Sequence, residues 1–207
     1  MTDSVDPQVE WVVFDLGDVV LAHSQAFATL AGLLAADPGR LEAAYEVGRR
    51  GYETDSDPAR YWTGVARHLG LPEPEPEVVR ALVEADDRGW NVVHPDVWRL
   101  VEDLRDAGVR LAVLSNAPAS MGRIVESSDW STAFEYLLFS GDLGIIKPDP
   151  AIFAELLRRL GAQPSRVAFV DDRPDNIEGA RTAGIHGIGF TDADSARADL
   201  RRLGLPV

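Results

Sequence analysis

The sequence predicts an α/β fold: a parallel sheet covered by helices on both faces, with an all-helical insertion after the first strand. Three observations carry this. Short unbroken apolar runs, such as Trp11-Val12-Val13-Phe14 and Val167-Ala168-Phe169-Val170, read as strands buried on both faces. From His94 onward such runs alternate with stretches of helical periodicity, the rhythm of parallel strands joined by crossovers. Over residues 24–88, by contrast, apolar residues recur every three or four positions and no convincing strand interrupts them.

The first strand, residues 11–14, runs straight into Asp15-Leu16-Gly17-Asp18. Within the helical stretch, Asp37-Pro38 and Asp57-Pro58 mark helix starts. Aspartate takes the N-cap there, and proline takes the first helical position, where its missing N–H would be unpaired anyway. The run Pro72-Glu73-Pro74-Glu75-Pro76-Glu77 reads as a stiff loop between two helices. After His94-Pro95, a helix over 96–107 stops at Gly108 and leads to a strand at 110–114. A helix over 120–126 leads to a strand at 136–139, and a helix over 151–160 leads to one at 167–170. A helix at 176–183, a strand at 186–190 and a polar helix at 195–203 complete the chain. The expected division is an α/β domain from residues 1–22 and 93–207 and a helical cap from residues 23–92. Gly17-Asp18 and residues 90–95 would be its hinges. Such an insertion stands over the carboxyl edge of the sheet, where folds of this class place ligands.

The chain has 207 residues, enough for one domain with a substantial insertion. No apolar run approaches the ~18 residues needed to cross a bilayer. The first residues, Met1-Thr2-Asp3-Ser4-Val5-Asp6, are acidic and lack the layout of a signal peptide, so a cytoplasmic protein is expected. Cysteine is absent, which excludes thiol catalysis and cysteine-ligated metals. A net charge of -14 disfavours nucleic acid and anionic membranes as partners. It also means that a phosphorylated small molecule would need a metal ion or a local positive patch.

Four polar clusters follow predicted strands: Asp15-Leu16-Gly17-Asp18, Ser115-Asn116, Lys147 and Asp171-Asp172. In a parallel sheet these strand ends share one edge, so the clusters converge. Lys147 is the only lysine among the twenty Lys and Arg residues. A compact ammonium that survives where arginine is otherwise used points to a task guanidinium cannot perform. Asp15, Asp171 and Asp172 would repel one another at an apolar edge, and a hard divalent cation such as Mg²⁺ relieves that repulsion. Ser115, Asn116 and Lys147 add donors suited to a phosphate. Positioning plus charge neutralisation is most of what phosphoryl transfer requires.

These motifs resemble those of the haloacid dehalogenase superfamily, in its phosphatase-like branch with a helical cap after the first motif. Phe14-Asp15-Leu16-Gly17-Asp18-Val19-Val20 resembles motif I, and Leu114-Ser115-Asn116 resembles motif II. Gly144-Ile145-Ile146-Lys147-Pro148-Asp149-Pro150 is similar to the lysine motif, and Asp171-Asp172-Arg173-Pro174-Asp175-Asn176-Ile177-Glu178-Gly179-Ala180 to motif IV. The last run and Gly17 look most like small-sugar-phosphate phosphatases acting on glucose 1-phosphate. The resemblance implies a Rossmann-like core and Mg²⁺-dependent hydrolysis of a small phosphomonoester through an aspartyl-phosphate. Asp15 would be the nucleophile and Lys147 would bridge it to the phosphate. Ser115, Asn116 and Lys147 would hold the substrate. Asp15, the Gly17 carbonyl, Asp171 and Asp172 would hold the metal.

One departure stands out. The family's usual general acid lies two residues after the nucleophile, and here that position is Gly17. Asp18 follows, but in an extended segment it would point to the opposite face. The resulting expectation is a preference for leaving groups that need little protonation, such as a sugar 1-phosphate. In the cap, Tyr52 and Glu53, read as a loop after Gly51, and Trp62 and Trp90 are candidates for sugar contact, each against a stronger reading as core or surface. Arg173 stands at the rim. His68, His94 and His186 read as surface or turn residues, and His23 is the histidine closest to motif I. Two alternatives remain: a metal-free 2-haloacid dehalogenase, and a catalytically impaired phosphate-binding protein.

Overall fold

A computed structural model describes residues 9–22 and 26–207. The expectations for the acidic N-terminus and for His23 lie outside the described residues. The chain begins with β1 (Trp11–Phe14) and β2 (Leu21–Ala22). Five helices follow: α1 (Ala26–Leu34), α2 (Pro38–Tyr45), α3 (Arg49–Asp55), α4 (Pro58–Leu69) and α5 (Pro76–Gly89). The return runs through β3 (Val92–Val93), α6 (Pro95–Asp106), β4 (Arg110–Ser115), α7 (Ala119–Ser127), β5 (Tyr136–Phe139) and a single turn, α8 (Ser140–Leu143). It ends with α9 (Pro150–Leu160), β6 (Val167–Asp171), α10 (Pro174–Thr182), β7 (His186–Gly189) and α11 (Ala193–Arg202).

The main sheet is parallel with strand order β5-β4-β1-β6-β7. Alternation along β1 divides the core into two layers. Val12 and Phe14 face a cluster that includes Leu100 and Leu104 of α6, Met121 and Val125 of α7, and Leu200 of α11. Trp11 and Val13 face the opposite cluster, with Ile152, Phe153 and Leu156 of α9 and Ala180 of α10. Every residue of β1 is buried, which is why its sequence shows an unbroken apolar run and no polar alternation. Phe153 is wholly buried in the second layer, and truncating it to alanine should cost about 3–5 kcal/mol.

The five inserted helices enclose a separate apolar cluster built on Leu30, Leu41, Tyr45, Trp62, Val65 and Leu82. The Asp37 and Asp57 caps form as expected, each accepting from the backbone N–H three residues on. The proline-glutamate run is only partly a loop, because Pro76 begins α5. β2 and β3, which the sequence did not signal, pair antiparallel where the chain leaves and re-enters the sheet domain. Two residues per strand leave too little pattern to detect.

The insertion is docked against the sheet edge through α3. The Ser140 hydroxyl donates to the Glu53 carbonyl at 2.5 Å, and the Ala119 N–H donates to the Ser56 hydroxyl at 2.9 Å. Gly141 permits this approach, since a Cβ there would lie 2.5 Å from both the Ala119 nitrogen and the Ser56 oxygen.

Candidate active site

The strand order explains why the polar clusters meet. β1 lies at the centre of the sheet, with β4 on one side and β6 on the other. The ends of these three strands present Asp15, Ser115-Asn116 and Asp171-Asp172 to one place. The Asp15 N–H extends the ladder by donating to Val170 O at 2.9 Å. Lys147 arrives on the loop after α8.

Lys147 is completely buried, and its ammonium uses all three donors. It donates to Asp171 Oδ2 at 2.7 Å and to Leu114 O at 2.9 Å, and it lies 3.0 Å from Asp15 Oδ1. A guanidinium is planar and longer and cannot converge three bonds on one point, which accounts for lysine here. Asn116 fixes the lysine backbone from both sides. Its Oδ1 accepts Lys147 N–H at 2.8 Å, and its Nδ2 donates to Lys147 O at 3.1 Å. The carboxamide expected to meet a ligand is therefore engaged in positioning Lys147.

Asp171 is also fully buried and receives donors on both oxygens. Arg173 N–H and Asn176 Nδ2 reach Oδ1 at 2.8 and 3.0 Å, while Asn176 Nδ2 reaches Oδ2 at 3.1 Å. Asn176 was not singled out in the sequence as a site residue, although it stands inside motif IV. One oxygen of each of Asp15, Asp171 and Asp172 lies within 4.8 Å of the other two. Burial pushes the Asp15 carboxyl up to about 6, with Lys147 opposing the shift and Asp171 adding to it. Burial opposes the charge on Lys147, but Asp15 and Asp171 outweigh it and hold the ammonium above its ordinary value. Burial, then Asp171 and Asp18, raise Asp172. One ammonium thus faces three carboxylates, and the residues fit a hard divalent cation.

A cavity of about 170 Å³ opens above this edge, and Asp15, Gly17, Asp18, Ser115, Asn116 and Asp172 form its floor. The expectation for Asp18 needs correction. Its backbone is left-handed, with φ 55°, so strand alternation does not apply, and Asp18 borders the same cavity as Asp15. Gly17 also borders the cavity, and the Trp90 ring stands 3.5 Å from where its Cβ would be.

The roof comes from the insertion: Tyr45, Glu46, Arg49, Glu53 and Trp90. Arg49 donates to Asp86 at 2.7 Å and to Glu53 at 3.2 Å, and its guanidinium lies 4.7 Å from the Tyr45 ring centre. Tyr45 donates to Asp86 at 2.5 Å and accepts from Trp90 Nε1 at 3.0 Å. Burial raises Glu53, with Arg49 opposing. The segment read as a loop is helix α3. Glu53 and Trp90 reach the cavity, but Tyr52 is buried against Tyr61, ring centres 4.5 Å apart, and Trp62 is wholly inside the helical core. Arg173 borders the cavity and pairs with Asp175 at 3.4 Å. His186 sits in β7, its Nε2 2.9 Å from Ser165 O.

The model of a family of hydrolases described as haloacid dehalogenase-like matches residues 9–184. A glyceraldehyde 3-phosphate phosphatase from Methanopyrus kandleri is 29% identical over 86% of this chain and 82% of its own length. A phosphoglycolate phosphatase from Pseudomonas putida is 25% identical over 87% of this chain and 68% of its own. Among solved structures, an enzyme of this family from Bacteroides thetaiotaomicron in complex with magnesium and inorganic phosphate superposes with a TM-score of 0.69 at 17% identity, covering 88% of this chain and 94% of that one. An L-2-haloacid dehalogenase from Xanthobacter autotrophicus gives 0.72 at 18%, covering 96% and 85%. The two superpositions establish the shared fold.

Proposed function

This chain belongs to the haloacid dehalogenase-like hydrolase family, and from that premise we propose that it is a Mg²⁺-dependent phosphatase of small phosphomonoesters. Lys147 carries the reading: its ammonium, 3.0 Å from Asp15 and 2.7 Å from Asp171, is buried beneath a cavity whose floor carries the carboxylates of Asp15 and Asp172. Asp15 attacks phosphorus, a bond forms from its carboxylate oxygen, and the bond to the leaving oxygen breaks. Water then attacks phosphorus in the aspartyl-phosphate, releasing inorganic phosphate and restoring Asp15. Lys147 keeps Asp15 ionised and offsets charge on the transferring group, while Ser115 and Asn116 border the phosphate position.

The carboxylates suit a cation unequally. Asp171 already faces donors on both oxygens, so Asp15 and Asp172 are the carboxylates open to direct ligation, with the Gly17 carbonyl beside them. Asp171 acts through water and through its hold on Lys147. When bound, Mg²⁺ supplies charge that lets an anionic substrate approach this edge. The carboxylate triad favours this chemistry over metal-free dehalogenation, which has no use for a concentration of negative charge.

Glycine at position 17 leaves the leaving oxygen without the usual proton donor. Leaving groups that need little protonation should then be preferred, a hemiacetal oxygen over an ordinary alcohol, and a sugar 1-phosphate is the substrate type that fits. The insertion over residues 23–92 would act as the cap that chooses it. The test is phosphate release from a sugar-phosphate panel and p-nitrophenyl phosphate, with and without Mg²⁺, beside Asp15→Asn. We expect metal-dependent release, abolished in the variant, with glucose 1-phosphate ahead of glucose 6-phosphate. Equal turnover of the two would remove the leaving-group argument, and chloride release from 2-chloropropionate in place of phosphate release would overturn the phosphatase.

A further inference from the structure

We infer that the roof of the cavity selects an uncharged, hydroxyl-rich leaving group and turns away one that carries a carboxylate. The inference rests on the phosphatase reading and deepens it. A bound divalent cation is matched by the phosphate itself, so the leaving group meets what remains. On the roof that is Glu46, Glu53 and Arg49.

Arg49 is the natural partner for a substrate carboxylate, yet its guanidinium is already held. Nε is on Glu53 at 3.2 Å, NH1 is on Asp86 at 2.7 Å, and the plane lies over Tyr45. With Glu46, Glu53, Asp86 and Arg49 counted together, the roof and its backing carry three negative charges against one positive. The other arginine at the cavity, Arg173, pairs with Asp175. Below, Asp18 adds a further carboxylate to the wall.

A substrate carboxylate would therefore enter a space whose buried arginine is engaged, whose rim arginine is paired through Nε with Asp175, and whose other charged groups share its sign. Like charges brought together at a desolvated contact are disfavoured by several kcal/mol. Hydroxyl groups meet the opposite situation, because Glu53 and Glu46 offer acceptor oxygens, and ionised carboxylates form the stronger hydrogen bonds. The Trp90 ring, held by its bond to Tyr45 at 3.0 Å, adds a flat apolar wall against which the C–H face of a sugar can lie.

The test compares two probes that differ only in the group at issue: glycerol 3-phosphate, which ends in a hydroxymethyl group, and 3-phosphoglycerate, which ends in a carboxylate. We expect kcat/KM with Mg²⁺ to favour glycerol 3-phosphate by about tenfold or more. Glu53→Gln removes one negative charge and loosens the hold on Arg49. It should shrink that ratio by improving KM for 3-phosphoglycerate while glycerol 3-phosphate loses activity. A role for Glu53 confined to holding the fold would lower both substrates alike and leave the ratio unchanged, which would overturn the inference. Glu46→Gln, at an exposed position, gives the same comparison if Glu53→Gln fails to fold. Turnover of p-nitrophenyl phosphate with equal or greater preference for 3-phosphoglycerate would overturn the selectivity and leave the phosphatase standing. Failure to release phosphate from every probe, p-nitrophenyl phosphate included, would overturn both.

Discussion

Two buried ionic networks face each other across the cavity, and they are assembled by different rules. Beneath it, Asp15 and Asp171 meet because adjacent parallel strands end at one edge, and the loop after α8 brings Lys147 between them. Above it, Arg49, Asp86 and Tyr45 meet because side chains from α2, α3 and α5 happen to converge in a helical core. The lower network contains the groups that react. The upper one immobilises a guanidinium and a tryptophan and gives the roof its shape and charge. The difference predicts that damage below should show first in chemistry and damage above first in stability.

The largest effect should follow from Lys147→Met, which keeps the volume and removes the charge. Asp15 and Asp171 would then share a buried site with no cation between them in the resting protein. We expect phosphate release to fall by about 10³-fold or more, together with a stability loss of about 3–5 kcal/mol in urea unfolding. The counterpart above is Asp86→Ala. It leaves Arg49 buried with Glu53 alone and takes the acceptor from Tyr45, so a loss of about 3–5 kcal/mol is again expected. Here, though, kcat should stay within about tenfold of wild type, because no reacting group is touched. If Asp86→Ala abolished turnover at unchanged stability, the division of labour between the networks would be wrong.

The same contrast governs what could be read from the sequence. Strand ends are marked in sequence: an apolar run stops, a polar residue follows, and parallel topology carries the rest. Asp15, Ser115 and Asp171 are legible for that reason, and Lys147, on a loop, is legible because it is the only lysine in the chain. Arg49 and Asp86 carry no such mark, since one residue of each kind on an amphipathic helix looks like solvated surface until the partner helix is placed. Glu53 stands in a segment that reads as a loop after Gly51, whereas Gly51 lies inside α3, whose N-cap is the left-handed Gly48. Asp18 was misplaced because the alternation rule holds for extended backbone, and its φ of 55° breaks it. Tyr52 and Trp62 illustrate the opposite limit. Aromatic residues on helices pack inward far more often than they line a site.

A smaller effect should separate the two halves by pH. Asp87 lies on α5 where it meets α7, with the Ser120 hydroxyl 3.3 Å away. Burial and then its neighbour Asp86 push it up to about 7 from 3.8. Raised in the folded state, it favours the native protein while protonated. That contribution is complete below 3.8 and is lost as pH rises through about 7. Asp87→Asn should flatten this part of the stability profile and raise Tm above pH 7, by the equivalent of roughly 1–4 kcal/mol at most. The measurement is thermal unfolding of both proteins from pH 4 to 8. Parallel profiles would mean that the α5–α7 contact is hydrated well enough to keep Asp87 ordinary.

The last prediction tests the point where the two regions touch. Trp90 hangs from the insertion and stands 3.5 Å from the missing Cβ of Gly17, an ordinary van der Waals distance. The backbone at Gly17 is not left-handed, so an L residue fits without strain. Gly17→Asp should therefore fold, and it would put a carboxyl group two residues after the nucleophile, at the floor of the cavity. If the absence of a proton donor is what limits alcohol leaving groups, kcat/KM for glycerol 3-phosphate should rise, by about 10- to 10²-fold where proton transfer is fully restored. Glucose 1-phosphate, whose leaving oxygen needs less help, should change little. A rise for glycerol 3-phosphate alone would locate the specificity of this enzyme partly in its floor, in what residue 17 lacks. A uniform fall would mean that the new side chain only crowds Trp90, and would return specificity entirely to the roof.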